Sequence, residues 1–156
     1  MSSLVAYFSA TGTTARAATR LAQAIGADLF EIVPERPYSA ADLNWNDKSS
    51  RSSVEMANES CRPAIASLVD NMDDYDTVYV GFPVWWYVEP RIVDTFLEAH
   101  DLAGKTVVPF ATSGGSGLGR APQRMAELAP GARVAEGRML NGNPGLNELR
   151  DWVASL

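Results

Sequence analysis

The sequence predicts an α/β fold, a doubly wound three-layer sandwich around a five-stranded parallel sheet in the order 2-1-3-4-5. Two observations lead there. Short continuous apolar runs recur along the chain, as strands show when both faces of a sheet are covered, and segments with apolar residues three or four apart lie between them. At 156 residues the chain has the length of one domain with a single sizeable core, so 1–156 is expected to form one unit.

The elements follow in order. Leu4, Val5, Ala6, Tyr7 and Phe8 make the first strand run, and Ala17, Ala18, Leu21, Ala22 and Ile25 then keep helical spacing over 14–25, with Gly26 placed as a C-terminal cap. A second strand over 29–33 is more polar and belongs toward an edge. The stretch 34–62 is rich in proline, serine and asparagine, has little period and exceeds an ordinary connection, so it reads as a surface excursion. A short helix is expected at about 63–69. The third strand spans 76–82, and Pro90 opens a helix with Ile92, Val93, Phe96 and Leu97 on one face. A strand at 106–110, a helix at 121–128, a polar edge strand over 133–139 and a helix at 146–153 carrying Leu149 and Trp152 complete the pattern. In this strand order the ligand crevice lies between the first and third strands, beyond their C-terminal ends.

Composition narrows the function. With 46% hydrophobic and 21% charged residues, neither disorder nor a fibrous repeat is expected. No apolar run approaches the roughly 18 residues of a membrane span, and a strand rather than a basic leader follows Met1, so the expectation is no membrane span and a cytoplasmic location. One cysteine, Cys61, and one histidine, His100, leave no internal disulfide and no cysteine- or histidine-rich metal site, so redox or group-transfer chemistry needs a borrowed cofactor. Cys61 reads as a structural thiol near a helix start, and His100 as a cap at the far end of the Pro90 helix. A net charge of −6 disfavours nucleic acid and anionic membrane and suits a partner with a basic surface. A monomer or weak dimer is expected.

Three loops carry the chemistry. After the first strand, "SATGTT" (Ser9, Ala10, Thr11, Gly12, Thr13, Thr14) offers hydroxyls and a glycine at a helix start, where free N–H groups and the helix dipole hold a phosphate. After the third, "PVWWY" (Pro83, Val84, Trp85, Trp86, Tyr87) sets three aromatics together, at least one tryptophan of which is expected to fold back on the core. After the fourth, Thr112, Ser113, Gly114, Gly115, Ser116 and Gly117 have little side chain, as a backbone pressed against a ligand requires. A phosphate nest, an aromatic platform and a small-residue edge at neighbouring strand ends describe a site for a phosphorylated flat heterocycle.

Other motifs fail on spacing. "AGKT" at 103–106 lacks the earlier glycine of a P-loop, since position 99 is Ala99, and it precedes a strand. "GGSGLG" has Arg120 where the third glycine of a dinucleotide fingerprint belongs. A phosphoacceptor receiver domain would need acidic residues where Ser9 and Thr11 stand.

The motifs S-x-T-G-T-T, G-F-P-V-W-W and T-S-G-G-S-G resemble the three FMN-contacting loops of the flavodoxin-like family, over nearly the whole chain. The resemblance implies a flavodoxin-like fold with FMN as cofactor. It places the ribityl phosphate on Ser9, Ala10, Thr11, Gly12, Thr13 and Thr14, one ring face against Pro83, Val84, Trp85, Trp86 and Tyr87, and the pyrimidine edge on Thr112, Ser113, Gly114, Gly115 and Gly117. The excursion is similar to a segment of one flavodoxin-like subgroup. Two departures stand out: no aromatic follows the fourth strand to cover the second ring face, and Tyr87 stands where many relatives have glycine, which would hinder a peptide flip. The resemblance implies a low-potential electron carrier serving redox partner proteins, with acidic groups such as Glu89 opposing negative charge on the flavin. An FMN-dependent reductase that passes electrons to small acceptors, quinones, nitro or azo compounds, is the alternative, and a binding module without redox turnover is a third class.

Overall fold

The computed structural model describes residues 2–156. Its sheet pairs in the expected order, β2-β1-β3-β4-β5, with all ladders parallel. The strands are β1 (Ser2–Tyr7), β2 (Asp28–Glu31), β3 (Tyr75–Pro83), β4 (Thr106–Thr112), β5 (Arg133–Val134) and β6 (Arg138–Met139). Alternation along each strand divides the core in two. Leu4, Ala6, Val78, Val80 and Phe82 face α3 (Arg91–Ala99) and α4 (Ala121–Leu128). Val5, Tyr7, Tyr79 and Phe110 face α1 (Thr13–Ile25) and α5 (Leu146–Ala154). The ring of Phe110 occupies the place a Cβ on its cross-strand partner Gly81 would take, which is why that central position carries no side chain. Each buried phenylalanine contributes about 1.5–3 kcal/mol. Among the described residues no helix is long and apolar enough to cross a membrane.

The fifth strand is broken. Pro109 in β4 has no N–H to donate, and β5 pairs with β4 at Val107 whereas β6 pairs at Phe110, so the intervening chain bulges through Gly137 at φ 80, packed on the Pro109 carbonyl.

Two local expectations are corrected. No helix forms over 63–69: Pro34 and Ile65 bridge antiparallel, the Glu35 N–H donates to the Ala64 carbonyl and the Ala66 N–H to the Val33 carbonyl. The segment's backbone groups are thus spent on the end of the second strand rather than on each other. The helix lies instead inside the excursion, as α2 (Arg51–Ala57), where Ser50 caps it by accepting the Ser53 N–H. Cys61 therefore sits in a loop, half-buried, and burial pushes its thiol up. His100 does cap α3: its Nδ1 is 2.8 Å from the Phe96 carbonyl and its Nε2 accepts the Val69 N–H at 3.0 Å, tying the 63–70 segment to that helix.

The excursion is held by charge. Arg91 on α3 donates to the carbonyls of Glu55 and Met56 at the C-terminal end of α2, where a cation is favoured. Tyr38 donates to Glu55 at 2.5 Å, and Arg51 bonds the same carboxylate while lying 3.8 Å over the Tyr38 ring. Behind them, the wholly buried Asp94 and Glu89 share Arg124, at 2.8 and 3.1 Å. Arg124→Met should therefore lower stability by about 3–5 kcal/mol. Urea unfolding at pH 7 should show a lower midpoint with unchanged slope.

Candidate functional site

The chain leaves β1 through Ser9, whose Oγ accepts the N–H groups of both Gly12 and Ala15 at 3.1 Å. That serine shapes the loop from inside. Gly12 is the N-cap of α1 at φ 94, so its need for glycine is conformational; a side chain there would cost about 1–2 kcal/mol. With Gly12 and Ala15 satisfied, the N–H groups of Thr11, Thr13 and Thr14 have no partner among the described residues, at the positive end of a 13-residue helix. Thr14 is buried, and its hydroxyl meets that of Thr112 at 2.9 Å, pinning the first turn of α1 to the end of β4.

Beyond β3 the chain forms a tight hairpin. The Val84 N–H donates to the Thr112 carbonyl, and Trp85 and Val88 exchange both backbone bonds at 3.0 and 3.2 Å. The two residues between them, Trp86 at φ 50 and Tyr87 at φ 67, are both left-handed, the geometry of a two-residue turn that normally selects glycine or asparagine. Tyr87 thus already holds the conformation that a glycine would supply, at a cost of order 1 kcal/mol. Gly119, also at positive φ, supports it by packing against the Tyr87 carbonyl. Trp85 folds inward, edge-on to Phe8 and Tyr38 with ring centroids 5.6 and 5.4 Å away. Trp86 and Tyr87 stay exposed, at 44% and 73%.

In the third loop Ser113 is used internally, its N–H donating to Asn141 and its hydroxyl to the Ser116 carbonyl. A Cβ on Gly114, Gly115 or Gly117 would meet nothing within 4 Å, and none of the three has a positive φ. Neither the backbone nor the packing of the chain requires glycine there.

The loops converge on two adjoining cavities. One, of about 420 Å³, is lined by Ala10, Thr11, Thr13 and Thr14 from the first loop, Pro83 to Trp85 from the second, and Thr112 to Gly114 from the third. The other, of about 450 Å³, shares Val84 and Trp85 and adds Trp86, Tyr87 and Ser116. Ser9, Gly12, Gly115 and Gly117 line neither. Leu43 lines both, and Trp45 and Ser52 line the second; all three come from the excursion, whose irregular sequence gave no sign of where it would fold. Among the described residues no cluster of potential ligands could hold a metal ion.

The electrostatics correct one expectation. Glu89, immediately after the hairpin, is wholly buried, and burial first, then its hydrogen bond to Asp94 and that residue's charge, push its carboxyl up to about 9. Burial beside Asp94 thus favours the protonated carboxyl, the opposite of an exposed acid at that position.

A family model described as flavodoxin matches residues 2–156. Crystal structures of candidate flavoproteins from Bacteroides eggerthii and Bacteroides uniformis are similar over most of their length. The first is 52% identical with TM-score 0.94, covering 99% of this chain and 96% of that one. The second is 50% identical with TM-score 0.92, covering 98% and 97%. A Lactobacillus acidophilus flavoprotein crystallised with FMN shares the fold at 24% identity and TM-score 0.71, over 88% of this chain and 91% of its own. Among proteins of curated function, none matches.

The Glu89 shift has a sign. Between about 4.5 and 9 the folded protein keeps a proton that the unfolded chain releases, so this group's contribution is present at low pH and is lost as pH rises through that window. Thermal unfolding from pH 5 to 9 should show the decline, and Glu89→Gln should flatten it.

Proposed function

We propose that this chain, which belongs to the flavodoxin family, binds FMN where the ends of β1, β3 and β4 converge and works as a low-potential electron-transfer carrier. The observation that carries this reading is the set of unpartnered N–H groups on Thr11, Thr13 and Thr14 at the dipole-positive end of α1, opening into a cavity walled by the other two loops. A phosphate there would take charge-assisted hydrogen bonds from that backbone and from the Thr11 and Thr13 hydroxyls, while Ser9 and Gly12 hold the loop's shape and Ala10 lines it. Val84, Trp85 and Leu43 would exclude water from a flat ring. Gly114, Gly115 and Gly117 fit an edge lying directly on backbone, since nothing else in the chain asks for glycine at those positions.

Bound FMN would supply reversible electron transfer at a flat ring; the chain's part is to hold, orient and insulate it. The exposed Trp86 and Tyr87 form a rim that a redox partner could meet, and the net charge of −6 favours a partner with a basic face. A second reading has its own support: the adjoining cavity of about 450 Å³ has room for a flat acceptor, as a reductase of quinones, nitro or azo compounds requires. A cytoplasmic monomer or weak dimer suits both.

Titration of apo-protein into FMN should quench the dye's fluorescence. Riboflavin should bind at least about 100-fold more weakly, the worth of two hydrogen bonds to a charged phosphate. Unquenched FMN, or equal affinity for both, would remove the phosphate site. To separate the two readings, the loaded protein is reduced anaerobically: a carrier takes electrons in two resolved one-electron steps and shows no quinone turnover with NADPH. Rapid turnover would establish the reductase instead.

A further inference from the structure

We propose that Trp45, carried by the excursion 34–62, packs on the ring of the bound flavin and supplies the aromatic cover that the loop after β4 lacks. The inference rests on the FMN reading above. The loop over 113–117 holds only serine and glycine, and a Cβ on Gly114, Gly115 or Gly117 would meet open space. Among the described residues, that loop brings no aromatic to either cavity. Trp45 lines the same cavity as Trp86 and Tyr87 although it lies far from them in sequence.

Trp45 is 72% exposed, an unusual state for the largest apolar side chain unless something covers it. Its exposure does not come from a slack segment. Ser39 and Asp42 cap one another, with the Ser39 N–H donating to the Asp42 carboxylate and the Asp42 N–H to the Ser39 hydroxyl. The Ser52 N–H donates to the Asp42 carbonyl, the Asn46 N–H to Asn44 Oδ1 and the Ser50 N–H to the Asp47 carbonyl. Below this turn, Tyr38 packs edge-on to Trp85 and bonds Glu55, whose backbone is in turn held by Arg91. The indole is thus placed at the cavity by a segment bonded on both sides of it. An exposed aromatic on a hydrogen-bonded backbone at the mouth of a largely apolar cavity can stack on a flat ring without reordering the chain that carries it.

FMN affinity and emission are compared for the full-length protein, Trp45→Ala, Trp45→Phe and Val54→Ala, the last removing an exposed apolar side chain of the same excursion that lines neither cavity. The expected result is about 3- to 10-fold weaker binding for Trp45→Ala. Its bound FMN should also fluoresce more brightly, Trp45→Phe should recover affinity, and Val54→Ala should match the parent. If the parent binds FMN and Trp45→Ala binds it equally tightly with unchanged emission, the inference is overturned while the FMN reading stands. The same holds if Trp45→Ala alters only the KM for a quinone, which would make Trp45 a wall of an acceptor site. A parent that binds no FMN overturns both.

Discussion

Thr112 ties the candidate site into one body. Its hydroxyl meets Thr14 in the first turn of α1, and its carbonyl accepts the Val84 N–H at the root of the hairpin, so the phosphate loop and the aromatic loop are both bonded to one residue at the end of β4. The parallel register makes this possible. Tyr7 pairs with Gly81 and Gly81 with Phe110, and Pro83 pairs with Thr112, so β1, β3 and β4 finish on the same edge and their loops leave it together. Parallel strands with returning helices place every C-terminal end on one side of a sheet, and the crevice lies where the winding direction reverses, between β1 and β3.

Around that edge the chain accepts unfavourable local states. Trp86 and Tyr87 hold left-handed backbone, and Arg91 buries an Nη1 that has no hydrogen-bond partner among the described residues. Both features flank the same hairpin. Side-by-side carboxyl groups in an apolar setting force one to stay protonated, which leaves the cluster's arginines to satisfy Asp94 and to reach outward to α2. The excursion is docked through these charges and hydrogen bonds together with Tyr38, which packs on Phe8 and Trp85, while its Trp45 and Leu43 line the cavities.

The sheet, its order, the helices α1, α3, α4 and α5 and the three strand-end loops were legible in the sequence, because each rests on local chemistry. Apolar runs and 3.6-residue spacing report burial directly, and a glycine with hydroxyls ahead of a helix reports an exposed helix start. Ser9, Thr11, Gly12 and Thr14 were legible as one loop, but which of them shapes the loop and which faces the cavity depends on a hydrogen bond made six residues away, from Ala15 to Ser9.

The excursion was opaque for a physical reason. Its order comes from partners distant in sequence, Arg91 on Glu55 and Met56 and Tyr38 on Trp85, and no periodicity encodes such pairings. The same holds for the absent helix at 63–69, displaced by a bridge to Pro34, and for Glu89, which looks like a surface acid in sequence and has its carboxyl pushed up only because the fold buries it beside Asp94. Sequence alone determined the architecture and the place of the crevice, since both follow from local apolar pattern and chain connectivity. The tertiary structure decided which side chains line the crevice and what charge surrounds it, because contact and desolvation exist only once distant segments meet.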